Sequence, residues 1–257
     1  MFREIDDHLV NVVDFGRGDP TVLGVSGWIG NWEMWQQPFE RLSRRRRVVA
    51  YDHHGAGETR GSIDALSFDS QVDAVFGVMD ALEIENCVIA GESNGGAVAI
   101  EALLRDPSRF RALILVAGAY TGFDVPITRA FSEQLSKDFD GVLGPFIDLC
   151  TPEPDVEHIR RWLGHILRRA EPEAAVGLIE SMYKVDLKPR LDEISLPTLI
   201  IHGENDSMPS TRLSLAEEAA RLIAESELEV LEATGHVPTL TRPERVAAAM
   251  DRFIERL

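Results

Sequence analysis

The sequence predicts an α/β fold: a doubly wound, mostly parallel sheet with a helical insertion. Short apolar runs, helix-period segments between them, and one stretch where this alternation stops are the observations that predict it. The runs "TVLGVSG" (21–27), "RVVAYD" (47–52), "CVIAGE" (87–92), "ALILVAG" (112–118) and "TLIIHG" (198–203) are rich in β-branched residues and bounded by turn formers. They are almost wholly apolar and do not alternate, which is the pattern of strands covered by helices on both faces. "LEVLEA" (228–233) alternates and is expected at a sheet edge. Residues 68–82, 95–105 and 243–257 repeat apolar side chains at helical spacing and are expected to be covering helices.

Between about residues 120 and 189 no strand-like run occurs. Helical pieces alternate there with "GFDVP", "GVLGP", "TPEPD" and "AEPEA", where glycine and proline end regular structure. Residues 121–189 are therefore expected to be a helical insertion, and 1–120 with 190–257 the α/β core. A chain of 257 residues is long enough for a sizeable core, and one domain with an insertion is expected rather than two. No internal repeat or low-complexity tract interrupts it.

Composition narrows the function. Hydrophobic residues make up 44% and charged residues 27%, the balance of a globular protein. The formal charge of −17 repels phosphates and anionic lipid, so neither nucleic acid nor a membrane is an expected partner. The basic run Arg44 to Arg47 precedes an apolar strand and is expected to be a solvated loop. No apolar run approaches the roughly 18 to 20 residues that cross a bilayer, and "MFREIDDHLV" lacks the basic start and apolar block of a signal peptide. A cytoplasmic location is expected. Cys87 and Cys150 lie far apart, form neither a disulfide framework nor a metal-type pair, and are expected as small buried hydrophobes.

"GESNGG" (91–96) follows a strand and opens a helix. A sharp turn there lifts Ser93 out of the sheet, with Gly91 and Gly95 removing side chains that would collide and Gly96 letting the helix approach the strand. A helix N-cap serine in a glycine-rich loop explains the same residues. The nucleophile reading requires a base and an orienting acid, because a serine hydroxyl attacks poorly until its proton is taken. Of seven histidines, His8 is near the terminus, His53 and His54 share a turn, and His158 and His165 fall on the insertion. His202 ends a strand and is expected to be packed there. His236, in "ATGHVP", follows the last strand and precedes a helix, and Asp206, in "HGENDSMPS", follows another strand. Strands of a parallel sheet share one carboxyl edge, so Ser93, Asp206 and His236 can converge above it.

With these residues in place, the chain resembles the α/β-hydrolase superfamily over nearly its whole length. "SGWIGNWEMWQQPFERLSRRRRVVAYDHHGAGET" is similar to the family's oxyanion loop, first helix and D-x-x-G-x-G turn; "LIIHGEND" is similar to its acid loop and "GHVPTLTRPE" to its histidine loop. The resemblance implies that Ser93 is the nucleophile, His236 the base and Asp206 its orienting acid. It further implies that the backbone N–H groups of Trp28 and Asn94 form the oxyanion hole and that residues 121–189 are a cap. Asp52 becomes a structural turn residue. Three positions depart from the pattern: Ser26 stands where the family often has histidine, His54 where it commonly has arginine, and bulky Trp28 sits beside the oxyanion hole. Trp28 either narrows the acyl pocket or packs in the core.

The expected activity is hydrolysis of a small, largely apolar carboxylic ester or lactone through an acyl-enzyme on Ser93. No cofactor or metal is implied, because serine chemistry needs neither. The same triad, by resemblance, also serves carbon–carbon bond hydrolases of diketone-like substrates and cofactor-free perhydrolases. Some members of the superfamily act instead as small-molecule receptors.

Overall fold

The computed structural model describes residues 1–5, 7–64 and 66–257. Among these residues one eight-stranded sheet runs in the order β1-β2-β4-β3-β5-β6-β7-β8. The strands are β1 (Phe2–Ile5), β2 (His8–Phe15), β3 (Val22–Val25), β4 (Val48–Tyr51), β5 (Cys87–Glu92), β6 (Phe110–Val116), β7 (Thr198–Gly203) and β8 (Ser226–Leu231). From β4 to β8 neighbouring strands are parallel, while β1 and β2 pair antiparallel at one edge. Every residue of β3, β4, β5 and β7 is buried, as their unbroken apolar runs require. The edge strand β8 keeps only Leu231 fully buried, which matches its alternating sequence.

The antiparallel pair β1 and β2 is an addition that sequence pattern does not reveal. "HLVNVVDF" mixes polar with apolar residues because it is half covered, and only pairing with β4 across more than thirty intervening residues makes it a strand.

Two cores flank the sheet because side chains alternate along each strand. Val22, Val88, Ile114 and Ile201 point into one core with Trp35, Phe39, Val246 and Met250; α1 (Gln36–Leu42) and α10 (Pro243–Ile254) cover that face. Leu23, Ile89, Leu113 and Ile200 point into the other, covered by α2 (Phe68–Ala81), α3 (Asn94–Arg105) and α8 (Leu213–Leu222). α2 begins where a helix should: Ser67 caps it by accepting the Ser70 N–H at 3.0 Å, and the Ser70 hydroxyl accepts the Ser67 N–H at 3.0 Å. Such a cap is worth about 1 kcal/mol.

Between β6 and β7 the chain forms α4 (Pro126–Leu135), α5 (Phe139–Cys150), α6 (Glu157–Leu167) and α7 (Pro172–Ser181), with no strand among them. Their buried residues Leu143, Ile147, Leu163 and Leu178 join the same apolar cluster as Trp28 and Val237, so these helices close over the carboxyl edge of the sheet. α9 (Pro238–Thr241) is a short turn before α10.

The basic run is less solvated than its composition implies. Arg46 is 6% exposed and pairs with Asp251 at 2.9 Å, while Arg47 forks onto Asp14 at 2.8 and 3.0 Å; Arg44 and Arg45 are exposed. Cys87 and Cys150 are both buried. Among the described residues no helix is long and apolar enough to cross a membrane.

Candidate active site

Ser93 leaves β5 with φ 51° and ψ −125°, a conformation that costs a non-glycine residue on the order of 1 to 3 kcal/mol. The surrounding backbone imposes it. The Ser93 N–H donates to the Val116 carbonyl at 3.1 Å, and the Ser93 carbonyl accepts the Gly96 and Ala119 N–H groups at 2.9 Å each. Although Ser93 occupies the N-cap position of α3, its side chain caps nothing. Its Oγ lies instead 2.9 Å from His236 Nε2.

His236 sits in the loop between β8 and α9 and is 3% exposed. Its Nδ1 lies 2.8 Å from Asp206 Oδ2, and the Thr211 hydroxyl is 3.1 Å from the same nitrogen. Asp206 follows β7, and its Oδ1 accepts the Met208 N–H at 3.0 Å. The three residues expected to converge above the sheet edge therefore form one continuous chain of contacts.

The electrostatics follow from burial and pairing. Burial opposes ionisation of Asp206, yet His236 and His202 outweigh it and hold the carboxyl well below the usual range. Burial likewise disfavours imidazolium at His236, but the facing Asp206 and the nearby Glu92 reverse the sign, so its pKa is raised. Asp206 is thus an anion that favours positive charge on His236, the requirement for a base that must carry a proton during reaction.

Around this line stand residues to which sequence reasoning gave no part in the site. Glu92, 2% exposed, accepts the Gly27 N–H on Oε2 at 2.9 Å. Burial raises its pKa, and the His236 and Gly27 groups partly offset that rise. A methyl group on Gly27 would come within 2.6 Å of the Ser93 Cβ, so the loop that carries Trp28 passes directly over the serine. His202 is buried at the end of β7 as expected, and its Nε2 lies 3.2 Å from Asp206 Oδ2. Glu153, 2% exposed, accepts the Gly235 N–H at 2.9 Å beside His236. Its position in "TPEPD" reads only as loop punctuation, and nothing local marks it as buried.

Trp28 has φ 25°, and its indole Nε1 donates to the Ala175 carbonyl on α7 at 2.8 Å. Its ring meets Phe131 and Phe146 edge-on, with centroids 5.4 and 5.1 Å apart. Trp28 is therefore packed and pocket-lining at once. It forms part of the wall of a cavity of about 570 Å³ that reaches Ser93, Asn94 and His236 and is otherwise lined mostly by residues of α4 and α5, the larger part of them apolar.

The remaining candidates lie elsewhere. Asp52 accepts from the Trp32 and Glu58 N–H groups at 2.9 and 2.8 Å and from Asn11 Nδ2 at 3.0 Å, the work of a turn residue. His54 stacks on His8 at 3.6 Å between ring centroids, which braces its turn. Ser26 donates to the Asn31 carbonyl at 2.8 Å and stabilises the loop that carries Trp28 from within. His158 and His165 are exposed on α6, and Asp124 is held by Arg129 at 2.6 and 2.9 Å. Among the described residues no group of three or more His, Cys, Asp or Glu side chains is placed to hold a metal.

A model of the alpha/beta hydrolase family matches residues 16–249. The chain belongs to that family. Among relatives of this hydrolase, pimeloyl-[acyl-carrier protein] methyl ester esterase of Nitrosospira multiformis is 30% identical across 94% of this chain and 97% of that protein. A 3-oxoadipate enol-lactonase of Acinetobacter baylyi is 27% identical across 97% and 94%. In three dimensions the hydrolase superposes on an esterase from Exiguobacterium antarcticum with a TM-score of 0.91 over 99% of this chain and 98% of that one, at 24% identity, a likeness of fold.

Proposed function

We propose that this hydrolase cleaves a small, largely apolar carboxylic ester or lactone through an acyl-enzyme on Ser93. The observation that carries the reading is the unbroken line from Ser93 Oγ to His236 Nε2 at 2.9 Å and from His236 Nδ1 to Asp206 at 2.8 Å. It opens onto a largely apolar cavity of about 570 Å³. The esterase and lactonase relatives support the bond type.

In this reading His236 takes the Ser93 proton as Oγ attacks the carbonyl carbon. The developing oxyanion is met by the backbone N–H groups of Trp28 and Asn94. Asn94 opens α3, where first-turn N–H groups have no partner within the helix and the helix dipole favours negative charge. His236 then returns the proton to the departing alkoxide, and water repeats the sequence to release the acid. Asp206 holds the imidazole with Nδ1 protonated. No metal or cofactor enters these steps. Helices α4 to α7 act as a cap that selects the substrate, because they supply most of the cavity wall.

A fluorophosphonate is expected to label Ser93 and no other serine, read by peptide mass mapping. Ser93→Ala and His236→Ala should each lower kcat by something on the order of 10⁴ to 10⁶, and the double variant should be little worse. A panel of esters of graded chain length, lactones and diketones then identifies the bond cleaved. Labelling elsewhere in folded protein, or full activity in Ser93→Ala, defeats the assignment.

A further inference from the structure

Ser93 faces more than one space. Beyond the cavity of about 570 Å³ lies a second chamber of about 30 Å³, and the two share Trp28, Ser93, Phe146 and His236 as walls. The smaller is completed by residues the larger never reaches, among them Met34, Cys150, Leu163, Leu167 and Val237. Each of these is at most 4% exposed, so packed side chains form this part of its wall. A cavity of roughly 10 to 15 Å³ admits one water molecule, so this one holds about two, the size of a one- or two-carbon group.

The partition between the chambers is fixed. Trp28 is pinned by its indole N–H to the Ala175 carbonyl at 2.8 Å, and Phe146 packs edge-on against it at 5.1 Å. The tetrahedral carbon formed when Ser93 Oγ adds to an ester carries both the acyl substituent and the alkoxy group that will depart. Because Ser93 lines both chambers together with Trp28 and Phe146, it offers the two groups on that carbon separate spaces.

We infer that the substrate is an unsymmetrical ester with a large apolar group on one side of the scissile bond and no more than about two carbons on the other, either a short alkyl ester of a bulky acid or a short acyl ester of a bulky alcohol. The inference rests on Ser93 being the nucleophile and names the substrate class of that same site. Leu163 and Leu167 of α6, with Val237, set the size limit.

The test uses two ester series that keep a phenylbutyl group constant: methyl to butyl esters of phenylbutanoic acid, and acetate to pentanoate esters of phenylbutanol. In one series kcat/KM is expected to fall about tenfold or more for each carbon beyond two, the usual discrimination per methylene in a tight apolar pocket. The other series shows which side enters the small chamber, since its short members are also cleaved only when the small group is on the permitted side. Leu167→Ala, or the milder Val237→Ala should the first fold poorly, should shift the cutoff by at least one carbon in the same series. Equal turnover of butyl and methyl members in both series, or a cutoff unmoved by either variant in folded protein, overturns the inference. Labelling rates of Ser93 by 4-nitrophenyl phosphonates carrying the same graded groups read the chamber without turnover. A steep dependence on the small group there sustains the two-chamber geometry even if no ester is hydrolysed, in which case the proposed function alone fails. A flat dependence overturns the geometry.

Discussion

Glu92 illustrates how one side chain serves two parts of the site. Its carboxylate accepts the N–H of Gly27, which precedes Trp28, and its charge is one of the influences that raise the pKa of His236. In the proposed mechanism His236 must be neutral to accept the Ser93 proton, so kcat/KM should rise with pH, and its midpoint should lie above the ordinary imidazole value of about 6.5. Glu92→Gln keeps an acceptor for Gly27 but removes the negative charge, so imidazolium loses support and the midpoint should move to lower pH. A pH–rate profile of the variant checks this, and a midpoint that stays put would confine Glu92 to holding the loop. Asp206→Asn should retain the fold and lose activity, because the amide cannot hold His236 in the required tautomer.

At the scale of elements, the end of α5 holds the histidine loop. The Cys150 carbonyl accepts the backbone N–H of His236 at 2.9 Å, and Glu153 accepts that of Gly235 at 2.9 Å. A Cβ on Gly235 would overlap the Pro152 ring at 2.3 Å, so the two segments touch backbone to backbone. Arg160 of α6 fastens the segment by donating to the Thr151 and Glu153 carbonyls at 2.7 and 3.1 Å. The insertion that lines the pocket through Phe146 thus also sets the position of His236. Glu153→Ala leaves the buried Gly235 N–H unpaired, which costs on the order of 1 to 3 kcal/mol. That variant is expected to unfold at lower denaturant and to lose kcat several-fold per folded molecule, while Glu153→Gln stays nearer wild type. Denaturant titration with active-site counting by fluorophosphonate separates the two effects. Unchanged kcat in folded Glu153→Ala would mean that the segment supports the fold and not the base.

For the molecule as a whole, the buried histidines tie stability to pH. Burial first, then the neighbouring His8 and His53, lower the pKa of His54 to about 4, and burial lowers His53 as well. Between about 6.5 and 4 the unfolded chain binds protons that these folded imidazoles do not, so stability falls as pH falls through that window. His236 has the opposite sign: its raised pKa adds stability below about 6.5 that is lost as pH rises through the folded value. His54→Phe keeps a ring for stacking on His8 and removes the titration, so its denaturation midpoint should depend less steeply on pH between 7 and 4.5 than that of wild type, a window set by the shift from about 6.5. An equally steep dependence would place the acid sensitivity elsewhere.

The sequence by itself determined the sheet and the order of the site. Apolar runs such as "CVIAGE" and "TLIIHG" can only be strands buried on both faces, and a parallel sheet brings the residues that follow them to one edge. The convergence of Ser93, Asp206 and His236 was legible for that reason, and so was the helical nature of residues between β6 and β7, whose glycine and proline breaks are local signals. Tertiary structure alone decided β1 and β2, the contact of His202 with Asp206, the grip of Glu153 on the histidine loop and the edge-on packing of Trp28 against Phe146. Each joins residues from separate segments of the chain, and in sequence a glutamate that will be buried against a backbone N–H looks the same as one bound for solvent. Period and turn chemistry act over a few residues, whereas partition of a pocket depends on how separate helices close upon one another.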